Sequence, residues 1–268
     1  MQPPHDDWQA PLPPVPSGEA MSSTPLVGAP AGQAPQIRFE AIGEAWQLFQ
    51  QQMATWVLAT LLYFVIVGLP ALLCVGPFYY KILTDSRAFD NDPGALLGFM
   101  IPMYAGLFLF VIPLSFVLMG GLYRMALKQL RGETIGVGDL FDIGDVFGAL
   151  LGTMFLVMLA VLAATLLGCI LCGLPGFVVS ALLMLAVPAV VDRRIGSGEA
   201  LQLSWNALKP HWLMATVFYF VISLIGQIGA AACYIGLLFT FPLFILGIAI
   251  LYRDFLGRAE LPLIASPR

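Results

Sequence analysis

The chain contains six long stretches without a single Asp, Glu, Lys, Arg or His residue. They cover residues 56–80, 95–122, 146–171, 174–191, 212–232 and 234–251. Each reaches or nearly reaches the roughly 17–25 residues that a helix needs to cross about 30 Å of hydrocarbon. The pattern predicts an all-α protein, a bundle of six transmembrane helices. Because the links within each pair of stretches are short, the helices are expected to pack as three antiparallel hairpins.

The composition agrees with a membrane location. Hydrophobic residues make up 59% of the 268 residues and charged residues only 10%, whereas soluble domains carry roughly 25% charged residues. The formal net charge is -4, and no run of like charge is long enough to indicate a nucleic-acid-binding surface. We therefore expect membrane lipids as partners and no nucleic acid.

Composition also divides the chain into three parts. Residues 1–36 contain nine prolines and no apolar periodicity, which predicts a disordered Pro-rich tail. Residues 37–257 form the predicted six-span transmembrane domain, and residues 258–268 form a short C-terminal tail. Residues 11–16 (PLPPVP) would form a polyproline II segment that a partner protein could bind, although a solvated tether explains the composition more simply.

The loops between the stretches carry Lys and Arg unevenly, and cytoplasmic loops retain an excess of these residues. If the N terminus is cytoplasmic, two of them, Lys81 and Arg87, lie outside. Ten then lie inside: Arg38, Arg124, Lys128, Arg131, Arg193, Arg194, Lys209, Arg253, Arg258 and Arg268. Both termini are therefore predicted to be cytoplasmic, and a protein partner would meet the cytoplasmic face or the Pro-rich tail.

The chain also resembles itself, which predicts an internal repeat. Residues 43–48 (GEAWQL) recur as residues 198–203 (GEALQL), each before a transmembrane stretch. Residues 122–124 (LYR) recur as residues 251–253, and Pro113 and Pro242 precede them at the same distance. A fainter copy begins at residues 138–141 (GDLF). We predict three parallel pseudo-repeats, each an interfacial amphipathic helix followed by a transmembrane hairpin.

The middle copy carries three acidic residues at regular spacing. Asp139, Asp142 and Asp145 are three residues apart, which would place them along one face of a helix. We interpret that face as the water-exposed side of the second interfacial helix.

Polar residues inside the membrane are the usual indicators of function, because they are costly there. Gln227 is the only carboxamide in a predicted span. Pro113 and Pro242 are expected to kink their helices, and broken helices can form binding sites. These three residues are the candidate ligand or lipid contacts. The alternatives are an interhelical hydrogen bond from Gln227 and kinks that serve packing alone.

Two of the four cysteines have the spacing of a redox pair. Cys169 and Cys172 form a C-x-x-C motif at the predicted outer face, where disulfides persist. The strand and helix context of thioredoxin-like motifs is absent, so cysteine as a small packing residue is the alternative. No metal site is predicted, since both histidines, His5 and His211, lie on the other side of the membrane.

Two segments resemble a known group of proteins. Residues 43–49 (GEAWQLF) and 191–205 (VDRRIGSGEALQLSW) look like segments of a broad group of uncharacterised bacterial multi-pass membrane proteins. That group is similar to the membrane domain attached to some glycerophosphoryl diester phosphodiesterases. The resemblance covers residues 39–257 and implies a helical bundle in the bacterial cytoplasmic (inner) membrane. No catalytic residue carries over, because the hydrolase domain has no counterpart here.

The sequence contains no Ser/His/Asp set, glycine-rich phosphate loop or cluster of metal-ligand residues. We therefore expect a non-enzymatic protein without a cofactor, a membrane scaffold that binds lipid or a partner. The first alternative is a channel or facilitator for an uncharged or lipid-like solute. The second is an outer-face thiol redox protein. The oligomeric state is left open.

Overall fold

The computed structural model describes residues 37–84, 93–168, 173–231 and 235–257. All regular secondary structure in these ranges is helical, which confirms the predicted all-α class. Ten α-helices occur in this order: α1 (Glu40–Gln51), α2 (Met53–Thr84), α3 (Pro93–Gly106), α4 (Ile112–Leu130), α5 (Phe147–Leu167), α6 (Leu174–Leu183), α7 (Ala186–Arg193), α8 (Ser197–Leu208), α9 (Trp212–Ala231) and α10 (Leu237–Leu256).

Six helical segments among the described residues are long and apolar enough to span a membrane. They are Met53–Thr84, Leu96–Leu130, Phe147–Leu167, Leu174–Arg193, Ser197–Gly229 and Leu237–Leu256. Each contains most of one predicted stretch, so the six-span prediction is confirmed. The chain is a multi-pass membrane protein. The predicted tails at residues 1–36 and 258–268 lie outside the described residues.

The first hairpin is longer than the uncharged stretches predicted. Helix α2 has 32 residues and includes Lys81, which was predicted to lie in a loop. At 1.5 Å per residue this helix is about 48 Å long, more than the roughly 30 Å of hydrocarbon in a bilayer. A single charge at the last turn of a helix interrupts an uncharged stretch without ending the helix.

A π-helical turn precedes Pro113. Proline has no backbone N–H, and its ring clashes with the carbonyl four residues earlier in an α-helix. The π turn Leu107–Val111 lies directly before α4, in which Pro113 occupies the first turn. The wider turn accommodates the proline, so the break that the sequence predicted at this position is a local change of helix type.

The core lies where α10 meets its neighbours α9, α1, α2 and α4. The largest fully buried side chains include Trp56 of α2, Phe49 of α1 and Tyr252 of α10. Thirteen residues of α10 are buried, more than in any other described helix. Helix α10, the last described helix, is thus the centre of the bundle.

The two segments that share the GEA motif form similar helices. In α1 the buried residues are Ala41, Ala45 and Phe49, spaced by four. In α8 they are Ala200, Ser204 and Leu208, also spaced by four. Each helix therefore buries one narrow face against the bundle.

The prediction of a middle interfacial helix is wrong. Between α4 and α5 the chain forms only a 3-10 turn, Val137–Leu140, within irregular structure. Residues 131–146 include four glycines, which cost helical stability. Leu140, Ile143 and Val146 are buried and hold this segment against the bundle instead. Asp139, Asp142 and Asp145 therefore do not form the water-exposed face of a helix.

Candidate functional site

A groove of about 350 Å³ runs between α8 and the hairpin of α5 and α6. Most of its wall is apolar. The polar groups belong to α8 and lie at one side. The groove is lined by Ala160, Val179, Leu183, Leu201, Gln202, Trp205 and Asn206.

Two serines fix α8 beside this hairpin. The Ser197 hydroxyl donates to the carbonyl of Ala149 at 3.0 Å. The same side chain also occupies the space that a Cβ atom on Gly152 would need, so glycine permits the close approach of α5 and α8. Ser204, seven residues later, donates to the carbonyl of Leu182 at 2.7 Å. These contacts position α8 along the hairpin.

The break between α6 and α7 is part of the same arrangement. The helix is interrupted at residues 184 and 185, and the buried N–H of Leu185 donates to the Ser204 hydroxyl at 3.2 Å. A buried backbone N–H without a partner is costly. Ser204 thus stabilises the interruption while its own hydroxyl remains satisfied.

The exposed side of α8 combines aromatic and polar residues. Gln202 and Asn206 are exposed and four residues apart, so they lie on one face of the helix. Trp205, 38% exposed, lies beside them. Trp212 at the start of α9 is 51% exposed. Exposed tryptophan is typical of the boundary between lipid and water.

A second feature is the end of the bundle that carries most of the arginines, here called the charged end. It contains residues 38–44, 124–145, 192–194 and 252–254. Arg124 Nη2 donates to both carboxylate oxygens of Asp145, at 2.8 and 2.9 Å. Arg124 also pairs with Asp142 at 3.1 Å, and Arg194 pairs with Asp145 at 3.0 Å. Two acidic residues of the middle segment, Asp142 and Asp145, thus bind arginines, and Asp139 binds Lys128 at 2.6 Å.

Two of these carboxyl groups have lowered pKa values. Burial alone would raise the pKa of Asp145, but the hydrogen bonds and charge of Arg124 and the charge of Arg194 outweigh it. Burial likewise opposes the lowering at Asp139, whose pKa is brought down by the Gly136 N–H and the Lys128 ammonium. Both carboxylates are therefore held in their ionised form.

A second group of ion pairs connects α1 and Arg38, which precedes it, to α10. Arg253, only 1% exposed, donates from Nη2 to Glu44 of α1 at 3.0 Å and from Nε to Asp254 at 3.0 Å. Asp254 also accepts a hydrogen bond from Arg38 Nε at 3.1 Å. The first described helix is in this way attached to the last.

Asp192 of α7 makes two further contacts at the charged end. It pairs with Arg131 and accepts a hydrogen bond from the Tyr252 hydroxyl at 2.7 Å. Tyr252 and Arg253 belong to the repeated LYR sequence. The repeated motif therefore supplies groups that join α10 to α7 and α1.

Gln227 lies in a separate cleft between α9 and α10. The cleft measures about 280 Å³, and the described residues that line it all come from these two helices: Tyr219, Ser223, Gly226, Gln227, Leu237, Phe241 and Phe244. Pro242 is buried in α10 next to a lining residue but does not line the cleft itself. Pro113 lies on α4 and does not join them. The three candidate contacts therefore do not form one site.

The predicted redox pair, Cys169 and Cys172, lies outside the described residues. Cys74 is half-buried and not in a disulfide, and its sulfur occupies the space beside Gly106 of α3. That position is typical of a small packing residue. Within the described ranges, no three His, Cys, Asp or Glu side chains come together as a metal site.

Sequence reasoning missed both the groove and the ion pairs. The signal for the groove was present, because Gln202, Trp205 and Asn206 share one exposed face of a helix. An arginine ends each copy of the repeated LYR motif, and this repetition was the sequence signal for the ion pairs. Which acid each arginine binds was not readable, since Glu44 and Arg253 are 209 residues apart.

Comparison of the chain with protein-family models, with curated proteins and with solved structures finds no match.

Proposed function

We propose that this protein is a non-enzymatic membrane scaffold that binds lipid in the groove between α8 and the α5/α6 hairpin. The observation that supports it is the groove itself, with an apolar wall and a rim of Gln202, Trp205 and Asn206. An acyl chain suits the wall, and the polar part of a lipid suits the rim. In a multi-pass membrane protein, lipid is the medium that surrounds such a groove.

The proposed orientation puts the charged end in the cytoplasm of a bacterium, at its inner membrane. The support is the excess of Lys and Arg at that end. In this orientation α1 and α8 lie near the cytoplasmic boundary of the membrane, each with one face buried against the bundle. A partner protein would then meet the charged end or the Pro-rich tail.

The arrangement of the charged groups favours a structural over a catalytic role. A general acid or base needs a pKa near the working pH. The pKa values of Asp139 and Asp145 are shifted away from that range, because the neighbouring cations favour the carboxylate form. Such carboxylates are suited to holding helices together.

Filling the groove tests the lipid proposal. The variant Ala160→Trp places a large side chain among the lining residues, and Ala163→Trp makes the same change at an exposed position of α5 outside the groove. Native mass spectrometry of the purified full chain measures bound lipid. We expect lipid to be lost from Ala160→Trp and retained by Ala163→Trp. Equal lipid retention by both variants would contradict the proposal.

The Gln227 cleft favours a second candidate function, facilitation of an uncharged solute. Its polar groups, from Tyr219, Ser223 and Gln227, suit a solute with hydroxyl or amide groups. The described lining comes from two helices of one hairpin, which is typical of a surface cleft more than of a passage between hairpins. Glycerol flux into liposomes tests this candidate. Flux that Gln227→Leu abolishes would favour facilitation over the scaffold.

A further inference from the structure

A basic residue follows the groove-lining residues along α8. Gln202, Asn206 and Lys209 are spaced by four and three residues, so they follow one face of α8 into the 3-10 turn Lys209–His211. All three are exposed. The first two line the groove, and Lys209 lies about 4.5 Å further along the helix axis than Asn206. A cation therefore lies at one end of an apolar groove.

Lys209 differs from the other basic residues of the described chain. Each of the others has a partner: Lys81 has a contact, Arg193 donates to the Leu256 carbonyl, and carboxylates bind the rest, which are Arg38, Arg124, Lys128, Arg131, Arg194 and Arg253. Among the described basic residues, Lys209 alone has a side chain that forms no ion pair or hydrogen bond with the described part of the protein. Its ammonium group is available to a ligand.

The nearest acid along the same helical face does not neutralise it. Glu199 is ten residues before Lys209, about 15 Å along the helix axis. That distance exceeds the Debye length of about 8 Å at physiological ionic strength. His211 does not add a second contact on this face, because its ring packs against Phe255 of α10.

Building on the proposed function, we infer that the groove holds a glycerophospholipid whose phosphodiester lies against Lys209. The acyl chain contacts Ala160, Val179 and Leu183. The carboxamides of Gln202 and Asn206 donate to the oxygens between the chain and the phosphate. A charged donor is the strongest partner for a phosphate oxygen. The inference assigns the ligand class by its phosphate, which diacylglycerol lacks.

The experiment compares two lipids with identical acyl chains, phosphatidylglycerol and diacylglycerol. Each is titrated against the purified full chain, and native mass spectrometry measures the bound fraction. The test variant is Lys209→Gln. The control is Lys81→Gln, which removes the same charge from the opposite end of the molecule. One basic side chain near an anionic lipid is worth about fivefold in binding.

We expect Lys209→Gln to weaken phosphatidylglycerol binding about fivefold and to leave diacylglycerol binding unchanged. The control Lys81→Gln should not weaken phosphatidylglycerol binding in this way. Unchanged phosphatidylglycerol binding by Lys209→Gln would overturn the phosphate assignment and leave the groove as a lipid site. If Ala160→Trp binds both lipids as the wild type does, the proposed function itself fails. Circular dichroism of each variant verifies that the helices are retained.

Discussion

The charged end and the far half of the first hairpin differ in how far their side chains are buried. The far half consists of residues 64–84 of α2 and helix α3. In α2 the buried residues are Trp56, Ala59, Thr60 and Tyr63, all before this half begins. Across the far half, large apolar side chains such as Leu73 and Leu83 are 77% and 83% exposed. At the charged end, by contrast, even Arg253 and Asp254 are buried.

The difference shows where the protein obtains its tertiary stability. Apolar side chains in a membrane gain little by moving from lipid to protein, because lipid tails are as apolar as leucine. Helices α2 and α3 can therefore leave their outer surfaces to lipid. Charged groups have no such alternative in hydrocarbon, so they collect at one end and satisfy one another. Three predictions test this contrast, in order of decreasing effect.

The largest effect is expected for Arg253→Met. The change leaves Glu44 and Asp254 without the guanidinium that both bind. The side chains of Arg253 and Asp254 are buried, and that of Glu44 is 32% exposed. Removal of one partner from a buried ion pair costs about 3–5 kcal/mol. The free energy of unfolding, measured by denaturant titration in mixed micelles, should fall by that amount.

The matched control for this variant is Arg194→Met. The side chain of Arg194 is 54% exposed and pairs with Asp145. Solvent-exposed ion pairs contribute about 0–1 kcal/mol, so this change should have a small effect. Similar losses in both variants would show that burial does not distinguish the two pairs.

The second prediction compares one substitution in the two regions. Leu127 of α4 is 1% exposed near the charged end, and Leu73 of α2 is 77% exposed in the far half. Leu127→Ala should cost about 2–5 kcal/mol, because it leaves a cavity in packed protein. Leu73→Ala should change stability by no more than about 0.5 kcal/mol, since lipid fills the space.

Unfolding measurements on these two variants in the same lipid separate the regions directly. A cost at Leu73 equal to that at Leu127 would contradict the comparison, because it would mean that protein covers the far half.

The smallest effect concerns pH. The pKa values of Asp139 and Asp145 lie below the ordinary value of 3.8 in the folded chain. Their contribution to stability is therefore complete above about pH 5 and is lost as the pH falls through the folded pKa values, below 3.8. The midpoint of thermal unfolding should decrease over this acid range.

The double variant Asp139→Asn, Asp145→Asn should be less stable at pH 7 and should lose less on acidification. Glu40→Gln, an exposed change on α1, serves as the control and should follow the wild type. An acid response of the double variant as steep as that of the wild type would assign the pH dependence to other groups.

The sequence predictions had different outcomes for the uncharged spans and for the charged end. The six spans were predicted because uncharged length is a property of the chain alone. The middle interfacial helix was wrong, since the regular spacing of Asp139, Asp142 and Asp145 reflects contacts with Arg124, Lys128 and Arg194. Gln227 lines a cleft, but its role as a ligand contact stays a prediction, and Pro113 and Pro242 do not line that cleft.

The sequence by itself determined the all-α class, the number of membrane spans and the separation of charged from uncharged segments. These properties depend on how many consecutive residues avoid charge, which any reader of the chain can count. Only the tertiary structure decided that Arg253 binds Glu44 and that Ser204 supports the break at Leu185. It also decided that a groove remains between α8 and the α5/α6 hairpin. Such contacts depend on distances between helices far apart in the chain, and these distances arise only when the helices pack.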